Sequence, residues 1–311
     1  MPQIVRYAQL SVDEAKCESA AQQLNIAMEG RSNDKVQMIS ITRQLNAEER
    51  FVCAKIFQQK FGKSLLTVLK DELSGDLEDF FIVCYSGFYN QWAQFVYDSM
   101  KGKKIDQVFM AEILFMMTFD DLKKVTVAYT ELFGADMKAD VLTEVAGTEF
   151  HALFLSWFES GNIYGGDIEK IVDYMVDTLT ATDFNARIVN ILTKCHSRVY
   201  RQVQEPFKQR TGDDFINILK KKYDAKNEKV FMECHYALLN QQEFIARQLM
   251  LAFKGAGTDE DKMMRVTQLY SDRLHGDSIT QAYAAYGDIE KTIKADLSGK
   301  SEDLVLALWG F

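Results

Sequence analysis

Apolar positions recur along this chain with the 3.6-residue period of a helix, not the alternation of a strand. Phe244, Ile245, Leu249, Ala252 and Phe253 fall on one helical face. Amphipathic stretches also cover 65–73, 137–145, 215–223 and 289–297. Each is followed by a short break and a closing apolar run, at 77–84, 150–158, 230–238 and 304–309. Only two prolines interrupt the chain, Pro2 and Pro206, and the stretches are rich in Leu, Lys, Glu, Gln and Ala. Few breakers and good helix formers predict an all-α fold. No region reads as an alternating strand leading into an Asn-Gly or Asp-Gly turn.

The same order of elements returns four times. Aligning on Phe61-Gly62, Phe133-Gly134, Thr211-Gly212 and Tyr286-Gly287 gives spacings of 72, 78 and 75 residues. Repetition at this scale means units that bury their faces on one another rather than alone. The expected boundaries are a short tail at 1–12, then repeats at 13–86, 87–158, 167–239 and 240–311. The stretch 159–166, Glu-Ser-Gly-Asn-Ile-Tyr-Gly-Gly, reads as a linker between two halves.

The most informative corner is Lys254-Gly255-Ala256-Gly257-Thr258-Asp259-Glu260, with Asp296 some forty residues on. It reads as a helix end, a glycine turn and a helix start. Gly255 is expected to close one helix in a left-handed conformation, with Thr258 as N-cap of the next and Asp261 as a capping-box partner. A helix C-terminus leaves carbonyls unpaired and carries partial negative charge. Hard cations such as Ca²⁺ take carbonyl and carboxylate oxygens. The alternative is a plain packing corner with a solvated carboxylate.

Composition narrows the functional classes. At 47% hydrophobic residues over 311 positions, the chain can build a large core of one to three domains. Thirty-six basic against 45 acidic residues give a net charge of −9. That disfavours nucleic acid as a partner, and disfavours direct adhesion to anionic lipid unless a cation intervenes. Five cysteines are scattered with no CxxC spacing, which fits buried reduced thiols in a cytosolic compartment. The amino terminus lacks the apolar core of a signal peptide, and the apolar stretch around Val108 to Phe119 is short and holds Glu112. It reads as a buried helix, so membrane contact is expected to be peripheral. His151, His196, His235 and His275 lie in different repeats without catalytic or metal-ligand spacing. With no P-loop or dinucleotide fingerprint, the chain is not expected to be an enzyme. Trp92, Trp157 and Trp309 sit in apolar patterns and read as core.

With four copies in register, the chain resembles the annexin family. The residues that carry the resemblance are 254–260 together with Ala295-Asp296-Leu297-Ser298-Gly299, Arg43 and Arg273 after the second helices, and Leu306-Ala307-Leu308-Trp309-Gly310 at the end. The degeneracy of three copies resembles a divergent member, and the alpha-giardins are such a branch. The resemblance implies four repeats of about five helices each, forming a curved disc with calcium sites on its convex face. It implies calcium-dependent binding to acidic phospholipid membranes, peripheral on the cytoplasmic side of the membrane, with cytoskeletal proteins as a further partner class. The rival expectation is a calcium-independent cytoskeletal or self-assembling scaffold with vestigial loops. Oligomeric state is not legible.

The family's ion takes loop carbonyls and a distant carboxylate. Carried over by position, repeat 4 offers carbonyls of Phe253, Gly255 and Gly257 and the carboxylate of Asp296. Repeat 1 offers Met28, Gly30, Ser32 and Glu72. There Ser32 replaces the second glycine, which matters if the turn demands positive φ, and Asn33 takes the N-cap position. In repeat 2, Gly102 and Glu144 keep the 42-residue separation of Gly30 and Glu72, but Lys104 and Ile105 replace glycine and threonine. An ammonium there repels Ca²⁺, so no ion is expected; Lys101, Lys103 and Lys104 could meet lipid phosphate directly. Repeat 3, with Leu179-Thr180-Ala181-Thr182-Asp183 in the loop and Lys222 in the acidic position, is expected to have lost the site. Asp76 with Glu78, and the Ser298-Gly299 turn with Glu302, are shallow secondary candidates.

Overall fold

A computed structural model describes residues 11–29, 33–101, 106–159, 166–223, 225–255, 257–274 and 276–311, without the side chains of 225 and 226. Among these the chain forms twenty α-helices and no strand beyond a one-residue bridge at Cys195. The helices fall into four runs of five. The first is α1 (Glu14–Met28), α2 (Lys35–Gln44), α3 (Ala47–Phe61), α4 (Leu65–Glu72) and α5 (Gly75–Tyr85). The second is α6 (Phe88–Met100), α7 (Gln107–Leu114), α8 (Phe119–Phe133), α9 (Met137–Glu144) and α10 (His151–Glu159). The third is α11 (Ile168–Thr178), α12 (Phe184–Lys194), α13 (Ser197–Thr211), α14 (Phe215–Lys222) and α15 (Ala225–Leu239). The fourth is α16 (Gln241–Ala252), α17 (Glu260–Tyr270), α18 (Asp277–Tyr283), α19 (Ile289–Asp296) and α20 (Gly299–Trp309).

Three of the four anchor glycines end helices. Gly62, Gly134 and Gly212 close α3, α8 and α13 in the left-handed conformation, each N–H donating to the carbonyl four residues back. The starts are capped as well: in α3 the Asn46 side chain accepts from Glu49 N while Glu49 reaches back to Asn46 N, and Thr118 with Asp121 repeats the device in α8. Arg43 lies in the last turn of α2 rather than in the turn after it. The three tryptophans are core: Trp92, Trp157 and Trp309 are buried, with Trp92 Nε1 donating to Ile113 O at 3.1 Å and Trp309 Nε1 to Thr267 Oγ1 at 2.9 Å.

The chain condenses into two compact units, and they are not its two halves. Trp92–Gln241 is one; the described residues before Trp92 together with Gln242–Phe311 are the other. In the second unit α2 packs on α20, and α5 on both α17 and α20, so the first and last repeats share a core. In the first, α7 packs on α15 and α10 on α12. The boundaries between the units fall near Trp92 and Gln241, and of the stretch 159–166 residues 160–165 lie outside the described residues. Local glycine content cannot report this, because the division follows contacts between elements far apart in sequence.

Candidate metal centre

In repeat 4 the corner is built by one long backbone bond. After α16 ends at Ala252, the N–H of Asp259 donates back to Ala252 O at 2.7 Å, pinching the intervening residues into a loop. Gly255 and Gly257 sit at φ +134° and +119°, a region that an L side chain rarely adopts. Both are exposed, and among the described residues no backbone N–H donates to the carbonyls of Phe253, Gly255 or Gly257. The exposed Asp296, last residue of α19, is brought to the same corner: Thr258 Oγ1 lies 3.5 Å from both Asp296 O and Asp296 Oδ2. Three carbonyls that receive no backbone N–H among the described residues, with one carboxylate, are the donor chemistry of a hard cation, and fall short of the six to eight oxygens Ca²⁺ prefers. The donor set therefore fits Ca²⁺ with room for outside ligands.

The N-cap is not Thr258. Asp259 caps α17, its side chain accepting from Lys262 N at 3.0 Å, and the residue three on is Lys262, so Asp261 takes no part in a capping box. The cap lies one residue later than the sequence suggested because the tight Asp259–Ala252 bond starts the helix there, leaving Thr258 to face Asp296.

Repeat 1 follows the same plan. Asp34 N donates to Ala27 O at 2.9 Å, and the Asp34 side chain caps α2 by accepting from Gln37 N at 2.9 Å. Asn33 is thereby released from capping. Its Nδ2 donates to Glu72 O at 2.7 Å, tying the loop to the end of α4, while its Oδ1 has no hydrogen-bond partner among the described residues. Met28 ends α1, buried, and Glu72 is exposed. Gly30 and Ser32 lie outside the described residues.

Repeat 2 keeps the closure. Asp106 N donates to Ser99 O at 3.0 Å and Asp106 caps α7 through Phe109 N at 2.9 Å. The Lys101 ammonium rests 4.9 Å from the Tyr97 ring centroid, and that ring stacks on Phe133 at 4.1 Å. Gly102, Lys103, Lys104 and Ile105 lie outside the described residues.

Repeat 3 has a different corner. Leu179 N, Thr180 N and Ala181 N donate to Val176 O, Asp177 O and Thr178 O, so the chain winds on past α11 in tight turns. Asp183 accepts from Arg187 Nε at 2.9 Å instead of capping α12. Lys222 Nζ lies 5.3 Å from the Phe184 ring centroid, so a cation stands beside this corner where the other repeats carry a carboxylate.

The secondary candidates have other relations. Ser74 and Ser298 precede α5 and α20 without a side-chain cap, and Lys300 pairs with Asp303 at 2.7 Å. Asp76 meets Glu260, whose carboxyl is pushed up by burial and then by Asp76. Two histidines hold structural posts: His196 Nδ1 accepts from Arg198 N at the start of α13, and His235 pairs with Tyr200 OH at 2.7 Å inside the core. Among the described residues no helix is long and apolar enough to cross a membrane.

A family model described as annexin matches residues 19–83, the span from α1 to α5. Annexin A7 of Xenopus laevis is 24% identical over 308 residues, covering 94% of this chain. Giardin subunit alpha-1 of Giardia intestinalis is 24% identical over 296 residues, covering 94% of this chain and 98% of its own length. The chain is a homologue of the annexins. It spans only 58% of the frog annexin A7. Annexin folds match it end to end: annexin A8 superposes with a TM-score of 0.86 at 21% identity, covering 100% of this chain and 98% of that one. Calcium-bound alpha-1 giardin superposes with a TM-score of 0.82 at 23% identity, covering 94% and 99%. The four five-helix runs are thus an annexin fold, and the repeat 4 corner lies between the first and second helices of its run.

Proposed function

We propose that this chain binds Ca²⁺ and, through it, acidic phospholipid membranes, as a peripheral protein of the cytoplasmic side with no catalytic step of its own. The observation that carries the reading is the repeat 4 corner: Asp259 N on Ala252 O, two glycines at positive φ, carbonyls that receive no backbone N–H among the described residues, and Asp296 within reach of Thr258. Phe253, Gly255, Gly257 and Asp296 would hold the ion there. Met28, Gly30, Ser32 and Glu72 would hold a second in repeat 1. When bound, Ca²⁺ supplies the positive charge that lets a chain of net −9 approach an anionic surface. Too few protein oxygens for a full shell leave positions that lipid phosphoryl groups can occupy, so metal and membrane strengthen each other's binding. Repeat 3, with no glycine in its loop and Lys222 beside the corner, is assigned no ion by this mechanism. Calcium-bound relatives such as alpha-1 giardin support the choice of ion.

The test is co-sedimentation with phosphatidylserine vesicles across a calcium titration. Binding should appear with Ca²⁺, reverse with chelator, and shift to higher Ca²⁺ in Asp296→Ala. Association that persists unchanged in chelator would overturn the reading in favour of a calcium-independent scaffold.

A further inference from the structure

We infer that Val36 inserts into the membrane: flanked by Lys35 and Lys300, it forms a metal-free contact with the acidic bilayer beside the repeat 4 corner. The inference rests on the membrane reading above and adds to it a part of the surface that touches lipid without an ion.

Val36 is the second residue of α2, and 61% of it is exposed. A lone exposed aliphatic is ordinary on a protein surface; the setting of this one is not. Val36 lines an open depression together with Asn33, Asp34, Lys35 and Lys300. The depression spans repeats 1 and 4, because α2 packs on α20 within one compact unit. Lys300 is the second residue of α20, and Asp296, the carboxylate of the repeat 4 corner, ends α19 four residues earlier. Four residues of chain reach at most about 14 Å. A bilayer drawn to a cation on Asp296 therefore comes within reach of Lys300 and of the valine beside it.

The chemistry of the depression matches that surface. Ammonium groups meet lipid phosphate, while an aliphatic side chain enters the boundary between headgroups and acyl chains. Asp34 turns its carboxylate into its own helix, accepting from Gln37 N at 2.9 Å. Lys300 is paired with Asp303 at 2.7 Å, an exposed contact weak enough for a phosphate to replace. The corners of repeats 2 and 4 lack this combination. Their closing bonds join Ser99 to Asp106 and Ala252 to Asp259, as Ala27 joins Asp34, which sets Val36 in register with Val108 and Asp261. Val108 is half-buried and Asp261 is an exposed carboxylate. Repeat 1 thus carries an exposed aliphatic where repeat 4 carries an acid.

The five native cysteines are buried, so Val36→Cys in the full chain takes a polarity-sensitive thiol dye at that position alone. Ile26→Cys, at a side chain 62% exposed but outside the depression, is the control. With phosphatidylserine vesicles and Ca²⁺, the label at position 36 should shift to shorter wavelength and be quenched by lipids brominated in their acyl chains. The label at position 26 should keep its aqueous emission. In unlabelled protein at fixed Ca²⁺, Val36→Asn should weaken vesicle binding about fivefold, and Lys35→Gln with Lys300→Gln about tenfold. Aqueous emission at position 36 on vesicle-bound protein, with Val36→Asn binding as the parent does, overturns the inference while the calcium reading stands. Equal shifts at 26 and 36 overturn it as well, since the depression would then have no special part. If the unsubstituted chain does not bind vesicles with Ca²⁺, both readings fall together.

Discussion

Arg50 and Asp272, 222 residues apart in sequence, form an ion pair between a buried guanidinium and a half-buried carboxylate: Arg50 Nη2 lies 2.7 Å from Asp272 Oδ2. Arg50 Nη1 also donates to Leu45 O at 3.0 Å, and Ala47 N donates to Asp272 Oδ2 at 2.7 Å. The contact fastens the turn before α3 to the segment after α17, which is where repeats 1 and 4 share one unit. Only 1% of the Arg50 side chain is exposed, so its charge depends on this partner. Asp272→Ala should therefore cost about 3–5 kcal/mol, because it strands a buried guanidinium. Replacing both, with Arg50→Met and Asp272→Leu, should recover most of that loss. Urea unfolding of the three proteins checks the order; a single substitution no worse than the double would show the pair to be dispensable.

Gly257 at φ +119° has nothing within 4 Å of the position a Cβ would take. The cost of a side chain there is thus conformational and not steric against neighbours, about 1–3 kcal/mol. Gly257→Ser should lower stability by that amount and raise the calcium needed for vesicle binding, since the loop must relax away from the arrangement that bares its carbonyls. Serine is what repeat 1 carries at this position, so Ser32→Gly should move calcium sensitivity the other way in an Asp296→Ala background. Calcium titrations of the two variants decide it; equal midpoints for Gly257→Ser and the unsubstituted chain would mean the turn does not require glycine.

Much of this was legible in the sequence for a physical reason. A helical period, few prolines and glycines at regular spacing are local signals, and local signals set helix number and repeat register. The difference of the repeat 3 corner was legible too, because Lys222 and the missing glycines are changes of chemistry. The caps were misplaced by one residue in repeats 1 and 4 because Asn33-Asp34 and Thr258-Asp259 each present two good capping side chains in a row. The choice between them is made by the bond to a carbonyl seven residues back and by the contact with Glu72 or Asp296, which are tertiary facts. The pairing of first and last repeats was hidden for the same reason: Asp272 carries no mark of Arg50.

His235 supplies the remaining expectation, on acid stability. It is 3% exposed, with Nδ1 2.7 Å from Tyr200 OH and the Phe215 ring nearby. Burial, with Lys220 adding to it, lowers its pKa from an ordinary 6.5 to about 4. Unfolded, the ring takes a proton near pH 6.5; folded, it resists until about pH 4. Between those values the unfolded chain binds more protons, so stability falls as pH drops through this window and the contribution is fully lost below it. The loss from this one group should approach about 3 kcal/mol by pH 4. Tyr200→Phe with His235→Phe removes both polar partners together, which is close to neutral at pH 7 compared with stranding either one. The double variant should then show a shallower decline in unfolding free energy between pH 6.5 and 4 than the unsubstituted chain. Parallel declines in the two proteins would mean that acid sensitivity arises from carboxylates elsewhere and that His235 is already charged when folded.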